Sequence, residues 1–173
     1  MKNSRVSSSM EDYLEAIALL TETHGHAHAA DVARFLDVKM PSVTNALKLL
    51  TRHGYLEYLP GQPVLLTAEG LLLANGVIRK HRNLRRFLQN VLCLPYDKAN
   101  PLACRIEHEI DEDTVQAIQV LSDAIEGRPD CRGLRQYQRE ALHGRYAAFR
   151  KPADHRKHAE PAPAPKTERI ENE

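Results

Sequence analysis

Tryptophan is absent and aromatic residues make up 5% of the 173-residue chain, so its core must be aliphatic. No apolar run approaches the roughly 18 residues that a membrane-spanning helix needs, which excludes a membrane span. Residues 1–9 are polar and lack the apolar centre of a secretion signal. The cysteines number 3, at Cys93, Cys104 and Cys131, with no CxxC pair among them. A count so sparse and odd argues against a disulfide framework and fits reduced thiols in the cytoplasm. Neither sign of charge dominates: 24 basic against 23 acidic residues leave net charge silent about partners.

What is present centres on Cys104-Arg105-Ile106-Glu107-His108. Three metal-capable side chains stand at i, i+3 and i+4. On a helix this spacing gathers them on one face, one turn deep. Leu102, Ala103, Ile106 and Ile110 fall on the opposite face. A thiol, a carboxylate and an imidazole suit a divalent transition metal, but they supply only half a coordination shell.

Taken in order, the chain opens with Ser8-x-x-Glu11, a capping box, before a helix with Met10, Tyr13, Leu14, Ile17 and Leu20 in an apolar stripe. Asp12 and Glu15 lie about 60° apart on its other side, a solvated acidic face unless Leu19, in the same sector, meets protein. His24-Gly25-His26-Ala27-His28 reads as a linker with incidental metal affinity. A short helix over 29–36, a turn at Asp37-Val38-Lys39-Met40 and a second helix over 42–52, opened by Pro41, form a helix-turn-helix. The second helix exposes Ser42, Thr44, Asn45, Lys48 and Arg52 and carries no acid. Such residues, with Lys39 and Pro41 at the helix start, can meet base edges and phosphates. Gly54 then closes the helix. Tyr55-Leu56-Glu57-Tyr58-Leu59 and Val64-Leu65-Leu66 flank the turn Pro60-Gly61-Gln62-Pro63, which completes a winged helix. This wing has neither Lys nor Arg and should add little phosphate attraction.

Thr67 caps a long helix that runs to about residue 92, with Val77, His81, Leu84, Leu88 and Val91 in one stripe. A histidine inside an apolar stripe is by default a hydrogen-bonded core residue. Asp97 or Asn100-Pro101 opens the helix that carries Cys104. Asp111 caps another, with Val115, Ile118, Leu121 and Ile125 in period, and Gly127-Arg128-Pro129 ends it. Leu134, Tyr137, Ala141 and Leu142 predict one more amphipathic helix. From Arg150 the chain is charged and rich in proline, and is predicted to be disordered.

The order of these parts resembles the diphtheria-toxin-repressor family of metal-dependent regulators, and within it the two-domain manganese-transport-regulator branch. The resemblance covers roughly residues 7–125. Its motifs are Ser9-Met10-Glu11-Asp12-Tyr13-Leu14-Glu15, Met40-Pro41-Ser42-Val43-Thr44, Leu66-Thr67-Ala68-Glu69-Gly70, Arg79-Lys80-His81-Arg82 and Ala103-Cys104-Arg105-Ile106-Glu107-His108. The resemblance implies a mainly α fold: a winged-helix DNA-binding domain over 1–72 with a β-hairpin wing, an all-helical metal-binding and dimerisation domain over 73–149, and the tail 150–173. It implies metal ligands at Asp12, Glu15, His81, Cys104, Glu107 and His108. Three departures matter. Cys104 stands where many manganese regulators have Glu, and Asp12 where the iron-responsive members have Met. Arg85 and Asn100 occupy positions where ancillary ligands are expected. No room remains after Glu126 for the SH3-like third domain of the iron type.

The expected protein is a cytoplasmic, dimeric repressor that binds a palindromic operator on double-stranded DNA and is not an enzyme. Mn(II) is the expected metal because carboxylates outnumber the thiol, and Fe(II) is the alternative that Cys104 favours. A hydrolytic zinc enzyme is disfavoured, since nothing resembles HExxH. A metal-free redox sensor switching through Cys104 requires a low-pKa, exposed thiol.

Overall fold

A computed structural model describes residues 6–143; the predicted disordered tail lies outside the described residues. Helix α1 spans Ser8–His24. Its cap is Ser7, whose Oγ accepts from Met10 N–H at 3.4 Å, and not Ser8 as the sequence suggests. With Ser7 as the cap the third helical residue is Met10, so Glu11 falls outside the predicted capping box and instead meets His108. Gly25 ends α1 in the left-handed region at φ 78°, which glycine tolerates freely. The histidine linker is a loop, as expected: His28 caps the next helix, and the rings of His26 and His28 meet edge-on at 5.2 Å. Buried Ala27 in this loop accepts Val64 N–H at 2.8 Å, which ties the loop to the wing.

Helices α2 (Ala29–Leu36) and α3 (Met40–Arg52) form the helix-turn-helix. Asp37, at φ 56°, makes the sharp turn between them. Val43, Leu47 and Leu50 of α3 are fully buried, at the 3–4-residue spacing that seats one helix face on a core. Strands β1 (Leu56–Glu57) and β2 (Leu65–Leu66) pair antiparallel, Leu56 opposite Leu66. The wing is thus shorter than its two apolar runs, because Pro60 and Pro63 limit the ladder.

Helix α4 (Ala68–Arg86) is capped by Thr67, whose Oγ accepts from Gly70 N–H at 3.1 Å and donates to Gly54 O at 2.8 Å. Gly70 is required here: a Cβ would lie 2.0 Å from the carbonyl oxygen of Tyr55. A π-helical turn, Phe87–Val91, continues α4. Ala74 and Ile78 of α4 belong to an N-terminal core with Leu14, Ile17, Val32 and Leu47. Leu84 belongs to a second core with Leu88, Ala99 and Ala103. One unbroken helix therefore serves both cores, and the boundary expected at 72/73 falls inside it.

Helix α5 (Tyr96–Ile106) opens after Pro95 with Asp97, one of the two expected openings, in its first turn; the other, Asn100-Pro101, lies in its interior. It ends at Ile106, with Glu107 as its C-cap, so His108 lies in the turn beyond. The three-residue face expected on a single helix is thus split between a helix end and a turn. Asp111 caps α6 (Glu112–Gly127), accepting from Thr114 N–H at 2.8 Å. Arg86 locks α4 to α6 through Glu126 at 2.8 Å and Asp123 at 2.7 Å. A short 3₁₀ turn, Pro129–Cys131, leads to α7 (Arg132–His143).

Candidate metal centre

The site forms where α1, α4 and the end of α5 meet. Glu107 is its middle: 1% exposed, at the C-cap of α5, with Oε1 making no hydrogen bond among the described residues and His108 Nε2 standing 3.4 Å from it. A buried carboxylate oxygen without a hydrogen bond is costly, and one long ion contact offsets only part of that cost. Two groups of candidate ligands share this carboxylate. In one, atoms of His81, Cys104 and Glu107 lie within 4.8 Å of one another; in the other, atoms of Asp12, Glu107 and His108 do.

His81, 9% exposed, reaches Glu107 Oε2 with Nδ1 at 2.7 Å and Asn100 Oδ1 with Nε2 at 3.0 Å. Burial pulls its pKa down, but the hydrogen bond and charge of Glu107, with help from Asn100 and Glu15, raise it overall. His108 reaches Glu11 Oε2 with Nδ1 at 2.6 Å and Asp12 Oδ1 with Nε2 at 2.9 Å. Burial again lowers its pKa, and Glu11, Asp12 and Glu107 more than offset this. Burial, then the charges of Glu107, Asp12 and Glu15, push the Cys104 thiol up to about 12. Burial and the charge of Glu107 push the Glu15 carboxyl up to about 7, against a smaller opposing pull from His81.

The structure thus brings together Asp12, His81, Cys104, Glu107 and His108. Glu15 is half-buried nearby and feels their charges, but it belongs to neither trio. Two further polar partners line the centre. Glu11 looks like a capping residue in the sequence, although its position one turn before Glu15 places both on one side of α1. Asn100 stands where the resemblance expects an ancillary ligand, yet it is buried against His81. The donor set fits a divalent cation, since it offers carboxylate, imidazole and thiol groups around a buried oxygen that makes no hydrogen bond. Cys93 and Cys131 are unbonded and half-buried.

Elsewhere, Lys39, Pro41, Ser42, Asn45, Lys48 and Arg52 are exposed on or beside α3, whose first turn has no acid. Thr44 departs from expectation: it is half-buried, and its hydroxyl donates to Met40 O at 3.1 Å. Among the described residues, no helix is long and apolar enough to cross a membrane.

Comparison with known proteins meets this geometry at both ends. The N-terminal DNA-binding domain profile of the iron dependent repressors matches residues 5–63. Their metal binding and dimerisation domain profile matches residues 67–132. The transcriptional regulator MntR of Escherichia coli O157:H7 is 34% identical over 113 residues, which cover 65% of this chain and 72% of MntR. The crystal structure of T. acidophilum IdeR superposes with a TM-score of 0.57 at 32% identity, covering 62% of this chain and 51% of that one. The manganese regulator SloR gives 0.58 at 28% identity, covering 69% and 54%. The chain spans about half the length of these two solved regulators. It belongs to the iron-dependent-repressor family of metal-dependent, DNA-binding transcriptional regulators.

Proposed function

We propose that this protein is a cytoplasmic, homodimeric repressor whose grip on a palindromic operator is switched on by Mn(II), with Fe(II) as the alternative metal, and which regulates metal-uptake genes. The observation that carries this reading is Glu107, a buried carboxylate shared by two ligand trios, whose Oε1 makes no hydrogen bond among the described residues. Its partners come from both cores: Asp12 from α1, His81 from α4, and Cys104 with His108 from the second domain.

Asp12, Glu15, His81, Cys104, Glu107 and His108 would hold the ion. A bound divalent cation supplies the positive charge that offsets three neighbouring carboxylates. The residues then do the rest. Asp12 and Glu11 draw α1 toward His108, and α1 packs on α4 and on the helix-turn-helix. This fixes α3 relative to the second domain. In a dimer it would set the two α3 helices about one DNA turn apart, near 34 Å. Pro41, Ser42 and Asn45 stand at the base-reading end, and Lys39, Lys48 and Arg52 at phosphate-contacting positions, with Thr44 contributing only if its hydroxyl leaves Met40. For pairing, α6 turns Ala117, Val120, Leu121 and Ala124 outward, with Val120 63% exposed. No residue is assigned a catalytic role in this reading.

Asp12, Glu15 and Glu107 are hard oxygen donors that suit Mn(II), while Cys104 in the His81 trio keeps Fe(II) in contention. SloR is described as a manganese regulator and the matched profiles as iron dependent, so both metals occur among relatives. A thiol switch gains no support, because a thiol pushed up to about 12 is a poor nucleophile at neutral pH.

The test is a DNA-binding titration with Mn(II), Fe(II) and Zn(II), each against a chelated control, with metal content measured on the purified protein. Metal should tighten binding by about 5–150-fold, the usual range of allosteric coupling. DNA binding that is indifferent to chelation overturns the reading.

A further inference from the structure

The two ring nitrogens of His81 meet two different acceptors, and only one belongs to the candidate ligand set. Nδ1 faces Glu107 Oε2 at 2.7 Å, and Nε2 faces Asn100 Oδ1 at 3.0 Å. Asn100 is 7% exposed and sits on α5 four residues before Cys104, so one helix face presents both the amide and the thiol. An amide oxygen accepts hydrogen bonds and cannot donate them. The contact therefore needs hydrogen on Nε2. While the centre holds no cation, Nδ1 donates its own hydrogen to Glu107 Oε2, so Nδ1 is the one ring nitrogen that can release its hydrogen and offer a lone pair to an ion.

We infer that Asn100 is a positioning residue for His81: its side-chain oxygen holds hydrogen on Nε2, so that the metal-bound imidazole is the Nε2–H tautomer, and aims Nδ1 into the centre shared with Glu107 and Cys104. The residue that stands where the resemblance expects an ancillary ligand thus serves the main centre instead. Burial strengthens the effect, since no water competes freely for Nε2. Metal-bound histidines are commonly oriented by an acceptor on the distal nitrogen, and losing that acceptor lowers metal affinity by about 10–100-fold.

The inference rests on the metal-centre reading, and its test separates the two. ¹⁵N-edited NMR of the histidine rings in the full chain, metal-free and Zn(II)-loaded, reports which nitrogen carries hydrogen. The His81 signals are identified by their loss in His81→Gln. The wild type should carry hydrogen on Nε2 in both states, and on Nδ1 only in the metal-free one. Asn100→Leu should mix the tautomers and weaken Zn(II) binding about 10–100-fold, while Asn100→Asp, which keeps an acceptor oxygen, restores both. Asn100→Ala carries the same expectation as the leucine variant should bulk unfold the latter. Hydrogen on Nδ1 in the Zn(II)-loaded wild type overturns the inference. So does a folded Asn100→Leu or Asn100→Ala with wild-type tautomer and affinity. If the wild type binds no metal while the tautomer still follows residue 100, the metal reading fails and the positioning role stands.

Discussion

Asp12 Oδ1 and His108 Nε2 stand 2.9 Å apart across 96 residues of chain, and they join the first helix of the DNA-binding half to the turn that follows α5. Asp12 is only partly buried, so this contact alone is a weak tether in the absence of a cation. Asp12→Ala should therefore leave the metal-free fold intact, with a melting temperature within a few degrees of wild type. It should also weaken Mn(II)-dependent DNA binding by at least about tenfold, roughly 1.4 kcal/mol. Calorimetry for the metal and an anisotropy titration for DNA separate the two effects.

Glu107→Gln keeps the shape of the central side chain and removes its charge. Metal-dependent DNA binding should disappear, since both ligand trios share this residue. The Glu15 carboxyl, held at about 7 by burial and by the charge of Glu107, should fall part of the way toward its ordinary value. Carboxyl-directed NMR titration of the metal-free variant checks this. An unmoved Glu15 would mean that burial and the remaining neighbours, Asp12 among them, set it without Glu107.

The pH dependence of the metal-free protein follows from three groups. Glu15, His81 and His108 all have raised pKa values, so the folded state holds protons that the unfolded chain releases. Their stabilising effect is complete below the unfolded values and is lost as pH rises through the folded ones. The melting temperature should therefore fall as pH rises from about 4.5 to about 7 for Glu15 and onward from about 6.5 for the histidines. Metal binding runs the other way. It must displace these protons and that of Cys104, held at about 12, so affinity should rise across the same interval with net proton release. Calorimetry in buffers of different ionisation enthalpy counts the protons.

Cys104→Glu tests which donor sets metal choice. Replacing the soft thiol by a hard carboxylate should shift the ratio of Mn(II) to Fe(II) activation by about tenfold toward Mn(II), roughly 1.4 kcal/mol. An unchanged ratio in the DNA-binding titration would remove the thiol from any role in selectivity.

Gly70→Ala should destabilise the fold by about 3 kcal/mol, because the new methyl meets the Tyr55 carbonyl and that backbone is already held by Thr67 N–H at 3.1 Å. Chemical denaturation measures the loss. A variant as stable as wild type would show that the wing can move away from α4 at little cost.

The helix-turn-helix and the stripe Val77, His81, Leu84, Leu88 and Val91 were legible because aliphatic spacing reports a buried face directly, and all five residues are buried. The wing was legible from its turn residues, though Pro60 and Pro63 shortened its strands. What misled was punctuation. Of the two openings the sequence offers for α5, Asp97 lies in its first turn, while Asn100-Pro101 looks like a helix start yet sits inside the helix, which begins at Tyr96 after Pro95. Ser8-x-x-Glu11 looks like a capping box, yet the cap is Ser7 and Glu11 is engaged by His108, 97 residues away. A local motif carries no information about such a distant competitor. For the same reason Asp12, Glu15 and His81 looked like surface or core residues taken singly. Only the resemblance, and then the geometry around Glu107, connected them.

Gly70 seats the wing near one end of α4, and His81 stands 11 positions further along the same helix, about 16 Å away at 1.5 Å per residue. A rod of this length, unbroken from Ala68 to Arg86, carries rotation from end to end and does not absorb it. The strand pair and the imidazole must therefore turn together. A change in how α3 is offered to DNA is then a roll of whole helices about this rod, and the seam that can slip is the one where Glu11 and Asp12 meet His108, which is lined by charges and not by interlocked aliphatics.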